Sequence, residues 1–201
     1  MLNYLVNCTH PEISFAVHQC ARFYNDLKYS HKKAVKIILR YVLSTKRGNH
    51  KDKGMNQGLI YHPDRTNSID TYVDASFAGD WNTSWSDESS SAMPRTGYIL
   101  LYANCPIIWC FKLITEITLY ATESEYVALS QLMRDVISLL YLLKELSEVI
   151  PSEDTTLKIH CTIFEDNKGC IDWVTAPKMR PRTKHIALKY HHFRSYVKKQ
   201  Q

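Results

Sequence analysis

Ile69-Asp70-Thr71-Tyr72-Val73-Asp74-Ala75-Ser76-Phe77-Ala78-Gly79-Asp80 is the stretch on which the reading of this chain turns. Ile69, Thr71 and Val73 alternate with Asp70, Tyr72 and Asp74, which is the period of a β-strand. Asp74 falls where that strand ends, ahead of the small residues Ala75-Ser76 and Ala78-Gly79. A carboxylate at a strand end, opening onto a loop, stands where α/β folds keep their chemistry. Taken alone, such an Asp suits a solvated turn equally well.

Two later segments bear on that choice. Residues 121–129, Ala-Thr-Glu-Ser-Glu-Tyr-Val-Ala-Leu, open a long helical pattern. Residues 159–167, Ile-His-Cys-Thr-Ile-Phe-Glu-Asp-Asn, form a second alternating strand that delivers Asp166 at its end. Asp, then Glu at a helix start, then Asp at a second strand end can converge into an oxygen-rich cage for hard divalent cations such as Mg²⁺. In two-metal sites the ions lie about 3.5–4 Å apart and hold the attacking water and the leaving oxygen of a phosphodiester in line.

Each carboxylate has another reading. Thr122-x-x-Glu125 matches a capping box, in which Glu125 would bind the Thr122 backbone N–H. Glu123 faces elsewhere on the helix and is the reserve ligand. Glu165 precedes Asp166 on a strand and is expected on the opposite face. Asp70 and Asp80 read as surface residues.

Length and composition set the frame. The 201 residues allow one full domain and a smaller attached piece, and 45% hydrophobic content supports a packed core. No apolar run approaches the roughly 20 residues of a membrane-spanning helix, and no signal-peptide layout opens the chain. The expectation is an intracellular chain without a membrane partner. Six cysteines show no C-x-x-C pair, so reduced thiols are expected rather than disulfides or zinc. His191-His192 reads as a helix-surface pair. The net charge of +5 is unevenly spread. Residues 1–57 carry ten Lys/Arg against three acids, and residues 173–201 carry eight against none, leaving the middle with seven against seventeen. Basic flanks around an acidic centre suit a polyanion gripped at its edges over a cation site, although the same cations would also solvate helix faces.

In chain order, a helix is expected from Pro11 to about Tyr29, with Val6, Phe15, Val17, Ala21 and Phe23/Tyr24 buried. A second follows from about Ser30, as N-cap, to Leu43, with Ala34, Ile37/Ile38, Tyr41 and Val42 on its apolar stripe. Residues 45–58 are a polar linker, and 81–93 a Ser/Asp/Asn-rich loop whose Trp81 and Trp85 suit base stacking or anchoring. Strands are expected at 96–102 and 107–112 around a turn at Asn104-Cys105-Pro106, with 117–120 prolonging the second. A helix over 122–146 turns Tyr126, Leu129, Met133, Val136/Ile137, Leu140 and Leu143 inward. A strand over 157–166, a short helix over 167–174 and a final helix over 186–199 complete the pattern.

With Tyr72-Val73-Asp74-Ala75, Phe77-Ala78-Gly79-Asp80, Glu123-Ser124-Glu125-Tyr126-Val127-Ala128-Leu129, Glu165-Asp166-Asn167 and Arg182-Thr183-Lys184-His185-Ile186 in this order, the chain resembles the ribonuclease H region of copia-type LTR retrotransposon polyproteins. The resemblance covers nearly the whole chain. It implies an α/β, ribonuclease H-like mixed sheet flanked by helices, with Asp74 and Asp166 on neighbouring central strands. Residues 1–57 would be the helical end of a reverse transcriptase, and 58–201 the ribonuclease H-like domain. No polymerase Y-x-D-D motif is present, so polymerisation is not expected.

The resemblance further implies cleavage of the RNA strand of RNA–DNA hybrids. Asp74, Glu125 and Asp166 would be the catalytic metal ligands, for two Mg²⁺ or for Mn²⁺. In relatives the ligand Glu directly precedes the aromatic residue, which selects Glu125 over Glu123. Lys184, His185, Lys189 and Arg194 would line the hybrid. The rest of the polyprotein would be a partner, and the location a cytoplasmic virus-like particle or the nucleus. Position 187 is Ala where many relatives have Asp, read as a helix-surface difference. The family's fifth strand and fourth carboxylate would follow Gln201. Two readings therefore stand side by side: a metal-dependent endonuclease, and a remnant that grips hybrid but cuts poorly. Transposases of the integrase type have the order Asp, Asp, Glu and fit less well.

Overall fold

The alternation around Val73 is realised as strand β1, Ser68–Ser76, with Ile69, Thr71, Val73 and Ala75 buried and Tyr72, Asp74 and Ser76 exposed. The structure is a computed structural model that describes residues 1–46, 59, 61–64, 68–77, 93–116, 118–149, 159–176, 186 and 188–199. β1 pairs antiparallel with β2 (Arg95–Tyr102), and β2 antiparallel with β3 (Cys105–Leu113). After helix α4 (Ala121–Val149), strand β4 (His160–Phe164) returns parallel to β1. The order β3-β2-β1-β4 is a four-stranded mixed sheet flanked by helices. β1 and β4 are neighbours as expected, but β4 lies at an edge of the described sheet rather than inside it.

The β2–β3 turn is tighter than its sequence suggests. Ala103 and Asn104 both adopt left-handed φ, 48° and 63°, which closes a two-residue hairpin. Cys105 and Pro106 are thereby drawn into β3, where Pro106 sits on an outer strand beside a register shift, a place that tolerates a missing N–H. Residues 118–120 do not prolong β3.

α4 covers one face of the sheet. Tyr126, Leu129, Met133 and Val136 are buried as expected, and Leu132 with them; Ile137, Leu140 and Leu143 pack at the margin. They meet Val73, Tyr98 and Leu100, and the Tyr98 hydroxyl donates to Asp135 at 2.6 Å. α4 is the one described helix long and apolar enough to cross a bilayer, and its apolar side is the core of this sheet. Helix α5 (Lys168–Thr175), a 3₁₀ turn at Leu188–His191 and helix α6 (Arg194–Lys199) close the core with Cys170, Val174, Tyr190 and Phe193. The continuous final helix expected over 186–199 is thus broken, because fully buried Phe193 anchors the chain between two short turns. All six cysteines are free.

The N-terminal part departs most from expectation. Helix α1 spans Leu2–Cys8, and the helix expected from Pro11 is a 3₁₀ turn at Pro11–Ile13 followed by α2, Ser14–Arg22. The chain unwinds after Arg22, where Phe23 and Tyr24 make i−3 bonds to Cys20 and Ala21. Helix α3, Tyr29–Lys46, includes Ser30 inside its first turn rather than as its cap. Val6, Ile13, Val17 and Ile38 form a small core, whereas Phe15, Tyr24, Ile37 and Tyr41 are exposed. This unit touches the sheet at β3: the Trp109 indole donates to the Val6 carbonyl at 2.7 Å, and Phe15 and His18 meet Phe111 edge-on.

Candidate metal centre

The parallel register decides where the acids meet. Tyr72 of β1 pairs with Phe164 of β4, so Asp74 and Asp166 each stand two residues beyond the same rung. Glu125 lies in the opening turns of α4, buried at 6% exposure, while Asp74 and Asp166 are exposed. One carboxylate oxygen from each of the three lies within 4.8 Å of the others. The ligand set expected from sequence is therefore brought together at the end of the sheet.

The capping-box reading of Glu125 is replaced. Its carboxylate accepts from the Ala75 backbone, which ties α4 to the end of β1. The cap falls to Glu123, whose Oε2 accepts from the Leu119 N–H at 2.7 Å, one residue before the helix boundary at Tyr120. Glu123 is thus held away from the three acids.

Glu165 corrects another expectation. The strand stops at Phe164, so alternation does not carry Glu165 to the far face. It lies half-buried beside the acids, with Oε1 accepting from the Asn167 N–H at 3.0 Å. The signal was present in sequence: Asn167 is the N-cap of α5, its Oδ1 accepting from the Cys170 N–H at 3.0 Å, and a cap ends the preceding strand early.

Charge crowding follows from this packing. Burial, then the charges of Glu165, Asp74 and Asp166, push Glu125 up to about 8, against the pull of the Ala75 backbone. Burial also raises Glu165, with Asp166 and Asp74 adding to it and the Asn167 N–H opposing. Oε2 of Glu125 and Oε2 of Glu165 are buried, and no donor among the described residues meets either. A buried carboxylate oxygen without a donor is unfavourable unless a cation meets it. Three clustered carboxylates with such an oxygen fit a hard divalent ion, whose preferred ligands are carboxylate oxygens.

The geometry is braced from α5. Asn167 Oδ1 also accepts from the Thr122 hydroxyl at 3.4 Å, linking the start of α4 to the loop that carries Asp166. Gly169 permits this approach, since a Cβ there would lie 3.0 Å from Thr122 Oγ1 and 3.1 Å from Asn167 Oδ1. Gly169→Ala should push the two helix starts apart and weaken divalent-ion binding roughly 10-fold, the size of an outer-layer effect; unchanged affinity by calorimetry would show that the brace is dispensable.

The expected nucleic-acid contacts are placed less fully. Lys184 and His185 lie outside the described residues, as does the side chain of Lys189. Arg194 turns its guanidinium onto the Val174 and Ala176 carbonyls, where it caps the C-terminal end of α5. His191 is no helix-surface residue: it sits at the end of a 3₁₀ turn, with Nδ1 2.7 Å from the Tyr126 hydroxyl. Burial, then the charge of Arg194, lowers its pKa. Trp81, Trp85 and Asp80 also lie outside the described residues, and Asp70 is half-buried with Oδ2 accepting from the Ser68 hydroxyl.

Known proteins resemble this chain along most of its length. It is 30% identical over 189 residues, 94% of the chain, to the retrovirus-related Pol polyprotein from transposon RE1 of Arabidopsis thaliana. It is also 30% identical over 196 residues to the corresponding polyprotein from transposon TNT 1-94 of Nicotiana tabacum. The chain spans 11% and 13% of those two proteins. A secreted RxLR effector protein of Plasmopara viticola is 29% identical over 134 residues, which make up 82% of that protein. No protein-family model matches the chain, and no solved structure matches it significantly.

Proposed function

Because this chain is a relative, over nearly its whole length, of retrotransposon Pol polyproteins that it covers only in part, we propose that it is a ribonuclease H-type unit cutting the RNA strand of RNA–DNA hybrids. The observation that carries the reading is the acidic centre: three carboxylates within 4.8 Å, one of them with a buried oxygen that no donor among the described residues satisfies. Mixed-sheet topology supports it, with both Asp residues delivered from neighbouring strands and Glu125 from the covering helix.

In this reading Asp74, Glu125 and Asp166 hold Mg²⁺, or Mn²⁺ in its place. When bound, the metal supplies positive charge against the negative charge that develops on a phosphodiester during hydrolysis. The chain's own residues set the place for it. Exposed Asp74 and Asp166 face the substrate side, while Glu125 anchors the site from within and is fixed by the Ala75 backbone. Asn167 holds the Asp166 loop against α4. Selectivity for RNA would rest on contacts to 2′-hydroxyls beside the scissile phosphate.

End-labelled RNA–DNA hybrid incubated with Mg²⁺ or with EDTA tests the proposal. Cutting of the RNA strand in Mg²⁺ alone, with the DNA strand and single-stranded RNA intact, is the expected result. No metal-dependent cutting at any protein concentration would refute it.

The basic segment supplies grip in the same reading, with Lys184, His185 and Lys189 on phosphates. Replacing Lys184 and Lys189 with Gln should flatten the slope of log affinity against log salt by about two, because roughly one counterion fewer is released per lost contact. An unchanged slope would make that segment a solvated face. Arg194→Gln, by contrast, should register in thermal stability, since its guanidinium is committed to the end of α5.

A further inference from the structure

The face of the sheet that carries Asp74 has an aromatic feature unused so far. Tyr72 and Phe164 stack with centroids 4.7 Å apart and planes 10° from parallel. That separation equals the spacing of paired strands, so each ring stands upright over its own strand. Both are nearly half exposed, 46% and 45%, so the stacked pair offers an open aromatic face. Each is two residues before a triad carboxylate, Asp74 or Asp166.

The far side of the Tyr72 ring, away from Phe164, is the wall of a cleft of about 450 Å³. Ile99 and Gly97 of β2 form the floor, Phe111 of β3 and Phe15 of α2 the opposite wall, and Asp74 lies at one end, followed by the paired Ser76 and Arg95. Gly97 is paired with Asp74 and keeps the floor low; its missing Cβ would sit 3.6 Å from the Phe111 ring, an ordinary contact, so a side chain is admissible there and would fill the cleft. The volume is of the size that takes small planar ligands, and the lining is largely apolar, with the Arg95 guanidinium 5.9 Å from the Phe111 ring centroid and the candidate metal centre at the mouth.

We infer that this cleft seats one nucleobase of the strand whose phosphate lies on the acidic centre, stacked on Tyr72 as a third plane beyond Phe164. The inference rests on the ribonuclease H reading and adds to it a stacking site for a nucleotide next to the cut. A phosphate at Asp74 and a base over Tyr72 are two residues apart along β1, about 7 Å, which neighbouring parts of one nucleotide span. A paired base inside a duplex cannot enter a cleft walled on both sides, so the occupant is unstacked from its neighbours, as single-strand binding surfaces require. N-terminal helix α2, through Phe15, is then part of the substrate site and not only a neighbour of the sheet.

The test uses the full chain with Ca²⁺ in place of Mg²⁺ and a hybrid whose RNA strand carries 2-aminopurine, moved one position at a time across the cut. One position is expected to change fluorescence on binding in the wild type. Tyr72→Leu, which removes the stacking face, and Gly97→Leu, which fills the cleft, should abolish that change and weaken hybrid binding about 10-fold, within the range of one stacked base. If Tyr72→Leu does not fold, Gly97→Leu decides alone, with circular dichroism as its control. Wild-type affinity and an unchanged fluorescence response in folded Gly97→Leu would overturn the inference while metal-dependent cutting, and the ribonuclease H reading with it, still stood. A wild-type chain that binds no hybrid would overturn both.

Discussion

Asp74→Asn should cut Mg²⁺-dependent cleavage of an RNA–DNA hybrid by about a thousandfold, roughly 4 kcal/mol of transition-state stabilisation, while leaving hybrid affinity in Ca²⁺ within a few-fold. The substitution keeps the shape of the side chain and removes one of the three charges that meet at the centre. Asp74 is exposed at the end of β1 and supports no part of the core, so the melting temperature should not fall. Asp166→Asn should behave alike, because Asp166 stands two residues beyond the Tyr72–Phe164 rung, as Asp74 does. Single-turnover kinetics at saturating hybrid would show the effect in the cleavage step and not in binding. Cleavage within tenfold of wild type in either variant would remove that residue from the metal set.

Glu125→Gln should abolish cleavage as well, yet make the metal-free protein more stable at pH 8. The sign follows from the direction of the shift. Glu125 is raised from 4.5 to about 8 by burial and by the charges of Glu165, Asp74 and Asp166. Below about pH 4.5 the group carries its proton folded and unfolded alike and contributes nothing. Between that value and about 8 the unfolded chain gives up the proton more readily, so stability falls as pH rises, and the loss is complete above the folded value. Solvent reaches the centre through the two exposed Asp residues, which discounts the loss to on the order of 2 kcal/mol. Chemical denaturation in EDTA at pH 5 and pH 8.5 measures it. Gln at 125 should remove most of the difference, and Mg²⁺ at 100 times its dissociation constant should return about 2.7 kcal/mol to the wild type. A wild-type curve that is flat with pH in EDTA would mean that Glu125 is not the crowded group.

Much of this centre was legible in the sequence because two of its three carboxylates lie within two residues of a strand end that alternation points to. The alternation from Ile69 runs two residues past Asp74, to Ser76, and that from Ile159 stops two residues short of Asp166. The parallel pairing nevertheless brings both acids to one end of the sheet, and Glu125 stands in the opening turns of the longest helical pattern in the chain. What was not legible depends on the ends of elements and on contacts distant in sequence. Glu165 was misplaced because the alternation was carried two residues past Phe164, where the cap formed by Asn167 had already ended the strand. The Thr-x-x-Glu pattern at 122–125 suggested a local cap, but a backbone group from β1 takes Glu125 and a different Glu serves the helix end. Arg194 looked like a free cation because nothing in its own neighbourhood names the α5 carbonyls that hold it. The first helices misled in part through their stripes: Phe15 and Ile37 are apolar at helical spacing yet exposed, while the small core takes Ile13, which was not expected, and the expected Ile38.

The parallel pairing of β1 with β4 also sets an order of events in folding. β1, β2 and β3 are joined through near neighbours and can zip as a meander, whereas β4 must wait for the chain to pass through that meander and all of α4. Contacts of such sequence separation form late, because their loop-closure entropy is met only once the local structure exists. Asp74 and Asp166 become neighbours at that last docking step, and their mutual repulsion with Glu125 resists it. Divalent cations should therefore slow unfolding more than they speed refolding, a difference that the two arms of a chevron plot would separate.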